Sequence, residues 1–522
     1  ELDRDFFQEQ GVELAPGPKE LMNMQRFYLY LNMTKPGEKL ILSCSDTNAK
    51  GEGISPAYLI GSIRSLYPKL EIEGGAGVRP HKNSINNYYY PENPEAGIDL
   101  FLEKLVQETE KEHEDILEQA DETDAVFGEL YSWYLRNPEY RSRVQKLVQS
   151  AFAGKPEDII SQSVAKALYG EVSPYSATRL ERFAACAFAH FLQYGMKLTE
   201  RVEYEFKPMD MGNVMHEALE SFAEEVRKRG MKWTELTEQE RNEIADRCLD
   251  NIVADYGNTV LKSSARNEYM IERTRRILRR TVWALQKQLE QGEFQPEGFE
   301  VTFGGGRIDR VDIMEDQNKV YVKVIDYKTG NTSFDLVYLY HGLQLQLMIY
   351  LDGALRVEQK KYPDKEIIPA GVFYYNIKDP MIQEKIDADV EAVSAGLMKE
   401  LKMNGLVQAD PELVYRMDSS LGSIPVAFNK DGSFRKNSSV ADRTQFAVLG
   451  RYVRTKIEKI RSSILEGDAE VSPYELGKKN ACTYCPYMTV CGFDRRLSGY
   501  EFRRLKNFSD EELWKAFDRE AE

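Results

Sequence analysis

The chain has 522 residues, 42% hydrophobic and 30% charged, enough apolar material for three or four ordinary globular domains. Its formal charge is 69 − 85 = −16, which argues against a protein that coats nucleic acid but leaves room for a local basic groove. Six cysteines are too few for a disulfide scaffold, no run of about 18 apolar residues offers a membrane span, and the acidic start ELDRD is unlike a secretory leader.

The expected location is therefore cytoplasmic, and the lack of a starting Met fits a processed chain or an expressed fragment. Residues 1–70 read as a mixed α/β segment, with Leu40, Ile41 and Leu42 in a strand and Cys44 packed at its end. From about 71 to 165 the chain turns polar, opening with a loop (74–97) and continuing as helices rich in Glu, then Tyr and Leu, which reads as a helical linker. In SPYSATRLERFAACAFAHFLQYGM, Leu180, Phe183, Ala184, Ala187, Phe188 and Leu192 follow helical spacing, and Ser176 is placed to cap. Residues 211–291 read as helical and carry a dense basic face at Arg273, Arg275, Arg276, Arg279 and Arg280. That face is either a phosphate-contacting surface or a solvated one balanced by nearby acids, with nothing in the sequence to choose between them.

Residues 298–330, GFEVTFGGGRIDRVDIMEDQNKVYVKVIDYKTG, contain two apolar-alternating runs around a polar turn and predict an antiparallel hairpin. With the turn centred between Gln317 and Asn318, Ile313 faces Val322, Val311 faces Val324, and Asp309 faces Asp326. Asp312 then meets Lys323 as an ion pair on the other side. Two opposed carboxylates repel, and a divalent cation between them removes the conflict. Because Asp326 and Lys328 are two apart, a strand points both to one face. Such a set supports metal-assisted phosphodiester hydrolysis, with Lys328 orienting water or stabilising developing charge. A lone D-x-K is common, and its ordinary meaning is the solvated end of a strand.

Beyond the hairpin, residues 341–355 read as a helix and 371–376 as a strand. A turn is expected at Asp431-Gly432, followed by a helix over 442–465 ending near Gly467. In ACTYCPYMTVCGFD, Cys482, Cys485 and Cys491 have C-x2-C-x5-C spacing, and thiolates so placed can face one metal centre. The fourth ligand is open among Cys44, Cys186, Cys248 and the histidines. Cys248 reads as a buried helical residue, and spacing mildly favours Cys186. Zinc and an iron–sulfur cluster are both compatible with three clustered thiols.

The segments GGRIDRVD (305–312), VIDYKTG (324–330), QLMIY (346–350) and GNVMHEAL (212–219) resemble the successive motifs of the RecB-type PD-(D/E)xK nucleases. That resemblance implies an α/β, restriction-endonuclease-like core, a mixed sheet flanked by helices. It also implies Mg²⁺ ligation by His216, Asp309 and Asp326, catalysis by Asp309, Asp326 and Lys328, and DNA contacts from Gln346 and Tyr350. Without it, His216 would read as an ordinary helical histidine. The cysteine pattern is similar to the iron–sulfur nuclease domain of AddB-type helicase–nuclease subunits. It implies a [4Fe–4S] cluster on Cys186, Cys482, Cys485 and Cys491, covering residues of about 166–500. RFYLYLNMTKPGEKLILS (26–43) resembles the close of a superfamily 1 helicase motor, with Thr34-Lys35-Pro36 where a Thr-Arg pair is usual. No GxxxxGK[ST] loop occurs, so no ATPase activity is expected from this chain alone.

The expected organisation is the end of a degenerate helicase-like domain (1–70), a helical linker (71–165) and a nuclease domain with an iron–sulfur staple (166–522). The resemblance implies an exonuclease that degrades the 5′-ended strand at double-strand breaks during recombinational repair. Its partners would be single strands and duplex ends of DNA, and an AddA-type helicase–nuclease subunit in a heterodimer. The rival readings are a non-catalytic iron–sulfur DNA-binding scaffold and a stand-alone exonuclease of the CRISPR-adaptation type.

Overall fold

The computed structural model describes residues 9, 11, 15–42, 44, 53–55, 57–70, 94–95, 97–99, 101–102, 105, 122–151, 159–170, 176–199, 208–255, 264–304, 306–382, 389–495 and 499–521. Two units divide at residues 152/153. In the first, helices α1 (Pro18–Thr34), α2 (Tyr58–Leu66), α3 (Glu122–Arg136) and α4 (Pro138–Ala151) are described. Phe101, Leu130, Tyr134 and Val144 form a small core there, with Phe101 stacked on Phe127 at 4.8 Å. The strand expected at Leu40, Ile41 and Leu42 does not form. Ile41 is 75% exposed, and among the described residues no neighbouring strand takes up the backbone groups of this run. Cys44 is exposed rather than packed. Most of the loop expected at 74–97 lies outside the described residues.

The second unit is built on a six-stranded mixed sheet in sequence order: β1 (Gln295–Phe303), β2 (Gly306–Asp316), β3 (Lys319–Lys328), β4 (Glu366–Asn376), β5 (Asn404–Gln408) and β6 (Val440–Ala441). β1, β2 and β3 form an antiparallel meander, β4 runs parallel to β3, and β5 returns antiparallel. Strand periodicity explains the two layers. Val320, Val322 and Val324 enter one core with α5 (Gln162–Tyr169), α6 (Ala177–Ala185), α10 (Gln346–Lys361), α12 (Arg443–Glu466) and α13 (Asp510–Ala521). Tyr321, Ile325 and Tyr327 enter the other, with α7 (Pro208–Lys228), α8 (Glu238–Asp255) and α9 (Ala265–Glu290). Both faces of β3 are buried, which is why its sequence reads as nearly continuous apolar residues.

Local chemistry sets the helix ends that matter. Ser176 Oγ accepts the Arg179 N–H at 3.4 Å and starts α6. Helical spacing predicts this helix onward to Leu192, but it stops at Cys186, which is extended (φ −165°, ψ 118°). The chain then resumes as a short helix and a π-helical turn, Phe191–Gly195. The Phe188 N–H is taken by the Glu470 carbonyl at 2.9 Å, so a tertiary partner competes with the helix at this point. Asp442 caps α12 through a reciprocal box with Gln445, and Gly467 ends it in the left-handed region at φ +93°. A Cβ at Gly467 would meet the Ile160 carbonyl oxygen at 1.9 Å, so only glycine fits there. A small sheet, β8 (Lys479–Asn480), β7 (Tyr474–Leu476) and β9 (Arg503–Arg504), brackets the cysteine segment. Among the described residues no helix is long and apolar enough to cross a membrane.

Candidate active site

The β2–β3 hairpin turns at Gln317-Asn318 and pairs Ile313 with Val322, Val311 with Val324, and Asp312 with Lys323, the register expected from the sequence. At its open end the Asp309 carboxylate reaches across, and Oδ2 accepts the Tyr327 N–H at 2.7 Å. Asp326 is 1% exposed and Asp309 8%, so neither charge is freely solvated. Burial, and then the negative charge of Asp326, push the Asp309 carboxyl well above the usual range. Burial raises Asp326 as well, against the pull of Lys328.

Three further groups converge from different layers. α7 carries His216, whose Nδ1 lies 3.4 Å from Asp309 Oδ2 and 3.9 Å from Glu300 Oε1. Burial, and then the Lys328 charge, hold this imidazole below its ordinary pKa, in the neutral form that ligates metals. Lys328 Nζ lies 2.6 Å from Asp326 Oδ2 and donates to Gln346 Oε1 at 2.8 Å. Gln346, in the first turn of α10, donates from Nε2 to Asp326 Oδ1 and to the Tyr350 hydroxyl, each at 2.9 Å. His216, Asp309, Asp326, Lys328, Gln346 and Tyr350 are thus gathered at one end of the hairpin.

One residue of the group is not singled out by the motifs. His216, Glu300 and Asp309 offer ligand atoms that all lie within 4.8 Å of one another, and Glu300 has left-handed backbone (φ +49°) in β1. Its side chain is 6% exposed and is paired with Arg307 at 2.5 Å. The available signal is an acid inside the apolar run GFEVTF. Asp326 stands beside this trio, engaged by Lys328 and Gln346. The carboxylates of this cluster repel one another, and with a neutral histidine beside them they are a donor set suited to a hard divalent cation.

Asp312 faces the opposite layer. It is the centre of a buried triad, with Arg310 Nε at 2.6 Å and Lys323 Nζ at 2.9 Å. This is more than the simple pair expected from the sequence, and it plays no part in the cleft. Of the basic face on α9, Arg275 pairs with Asp250 at 2.7 Å, Arg276 with Asp379 at 2.6 Å, and Arg279 with Asp246. These contacts favour the balanced-surface reading.

The four cysteines expected as ligands line one pocket, together with Phe188, Val471, Pro473, Tyr487, Met488 and Phe493. Cys248 is buried in α8 and is not among the described residues that line this pocket. Burial, and then the neighbouring Cys186, Cys485 and Cys491, push the Cys482 thiol up to about 12. Among the described residues, no three of these sulfurs lie within 4.8 Å of one another.

Comparison with known proteins agrees with this geometry. Residues 174–492 match the PD-(D/E)XK nuclease superfamily model. The whole chain is 38% identical, over 546 aligned positions, to the B-type subunit of an ATP-dependent helicase/deoxyribonuclease from Lachnoclostridium phytofermentans. Proteins of the same name from Clostridium acetobutylicum and Thermoanaerobacter sp. are 31% and 30% identical, each over 99% of this chain. The chain spans 45–46% of the length of these relatives.

Proposed function

Because the chain belongs to the PD-(D/E)XK nuclease superfamily, we propose that its hairpin cleft is the metal-dependent deoxyribonuclease centre of an AddB-type helicase–nuclease subunit. The observation that carries this reading is the convergence of Asp309, Asp326, Lys328, Gln346 and His216 on one end of β2 and β3. A Mg²⁺ ion held by His216, Asp309 and Asp326, with Glu300 beside them, would polarise a phosphoryl group and lower the pKa of a bound water. Asp326 and the Gln346 amide hold the Lys328 ammonium where it can orient that water or offset charge on the phosphate. Tyr350, tied to Gln346, lies at the edge of the same network, and the resemblance assigns both residues to contact the DNA strand.

The finer assignments follow the resemblance to AddB-type subunits. The strand degraded is the 5′-ended one at a double-strand break, the partner is an AddA-type subunit, and the enzyme works in the cytoplasm. Cys186, Cys482, Cys485 and Cys491 hold a [4Fe–4S] cluster, a reading that follows the same resemblance and is supported by the pocket the four thiols share.

The test is Mg²⁺-dependent cleavage of single- and double-stranded DNA, labelled separately at the 5′ and 3′ ends, by wild type and Asp326→Ala. Cleavage lost in the variant with DNA binding retained supports the assignment. Equal cleavage by both would remove Asp326 from the chemistry, and digestion of the 3′-ended strand would overturn the polarity.

A further inference from the structure

Glu181 lies on α6, five residues before Cys186, and the motifs of the nuclease cleft do not include it. Its side chain crosses to the start of α10. There Oε1 accepts the main-chain N–H of Leu345 at 2.7 Å and of Gln346 at 2.9 Å. These are two donors that the first turn of a helix leaves without an intrahelical acceptor, and a carboxylate is the strongest partner for them. Gln346 is the residue whose amide holds Lys328 on one side and Asp326 on the other. A planar amide can serve both only if its backbone is fixed, since rotation or slip of the first turn moves Oε1 and Nε2 together. Tyr350, one turn later, is tied to the same amide.

α6 also reaches the cysteine pocket. It ends at Cys186, Arg182 Nη2 lies 3.9 Å from Cys485 Sγ, and the Ala184 carbonyl accepts a hydrogen bond from Arg503. One short helix therefore carries, in six residues, the contact to the Gln346 turn and a thiol of the cysteine pocket.

We infer that Glu181 is a positioning residue for phosphodiester hydrolysis: by clamping the Leu345 and Gln346 amides it fixes the Gln346 side chain on Lys328 and Asp326, and it anchors that arrangement to the helix ending at Cys186. Glu181 acts through Gln346 and touches no DNA. The inference rests on reading the cleft as a nuclease centre.

The experiment compares wild type, Glu181→Ala and Glu181→Gln, each prepared with equal iron and sulfide content. Steady-state cleavage of single-stranded DNA with Mg²⁺ is measured beside hydrogen exchange of the peptide spanning Leu345 and Gln346. Removing the acceptor should speed exchange of those amides and lower kcat by about 10- to 100-fold with KM unchanged, the loss expected when a reacting group is misplaced by an ångström. Glu181→Gln keeps an acceptor oxygen and should recover most of kcat and most of the protection. Unchanged exchange or unchanged kcat in Glu181→Ala would overturn the inference, as would a Glu181→Gln variant as impaired as Glu181→Ala. A kcat loss matched by an equal rise in KM would also overturn it, assigning Glu181 to binding. Wild type that cleaves no DNA defeats the nuclease reading instead, and the exchange comparison still decides whether Glu181 holds the Gln346 turn.

Discussion

His190 shows how a single buried side chain makes the fold depend on pH. Its Nε2 accepts from Arg179 Nε at 3.2 Å, its Nδ1 has no hydrogen-bond partner among the described residues, and it is fully buried. Burial first, and then the charges of Arg179 and Arg182, hold its pKa down at about 3. As pH falls below the ordinary histidine value of about 6.5, the unfolded chain takes up a proton that the folded chain refuses, so stability declines with acidification. Between pH 6.5 and 5 this amounts to about 1.6 kcal/mol. His190→Gln keeps an acceptor for Arg179 and cannot titrate, so its melting temperature should fall less than that of wild type over this interval. Parallel curves would contradict the assignment. Single residues differed in how far the sequence betrayed them. Asp326 and Lys328 were legible because a two-residue spacing on a strand fixes a shared face, whereas Glu300 was not, because its left-handed backbone breaks the alternation on which such reasoning depends.

The β2–β3 hairpin is the element where local reasoning reached furthest. A two-residue turn and matched apolar pairs leave one register, since a slip by one residue would turn every valine of β3 to the wrong layer. The same register creates the triad of Arg310, Asp312 and Lys323, all nearly inaccessible to solvent. Burial acts to raise the Asp312 carboxyl, but the two cations outweigh it and hold it below its usual value. Asp312→Ala leaves two buried cations without a counter-ion and should destabilise the second unit by about 3–5 kcal/mol. A urea midpoint that does not move would refute this. The break at Cys186 was not legible, because the apolar spacing runs straight through it. What ends α6 there is a hydrogen bond from Phe188 to Glu470, remote in sequence.

Along the full chain, Cys186 and Cys482 are 482 − 186 = 296 positions apart yet line one pocket. A cluster on these thiols would close a very long loop, and its binding energy would then act as folding energy for the second unit. Cys485→Ala should therefore lower the thermal midpoint and increase protease cleavage within 482–491 and α6. An unchanged midpoint with the cluster lost would remove the staple role. Local sequence was sufficient to specify the hairpin, its register, the face shared by Asp326 and Lys328, and the trio of C-terminal thiols. Each is encoded within about thirty residues, where strand periodicity and turn geometry leave little freedom. Packing was needed to select Cys186 over Cys248 as the thiol facing that trio, and to bring Glu300 to His216 and Asp309. Packing also matched Arg275, Arg276 and Arg279 with acids. Those outcomes depend on how separate layers meet one sheet, and spacing along a single segment carries no record of which distant side chains the other layer will present.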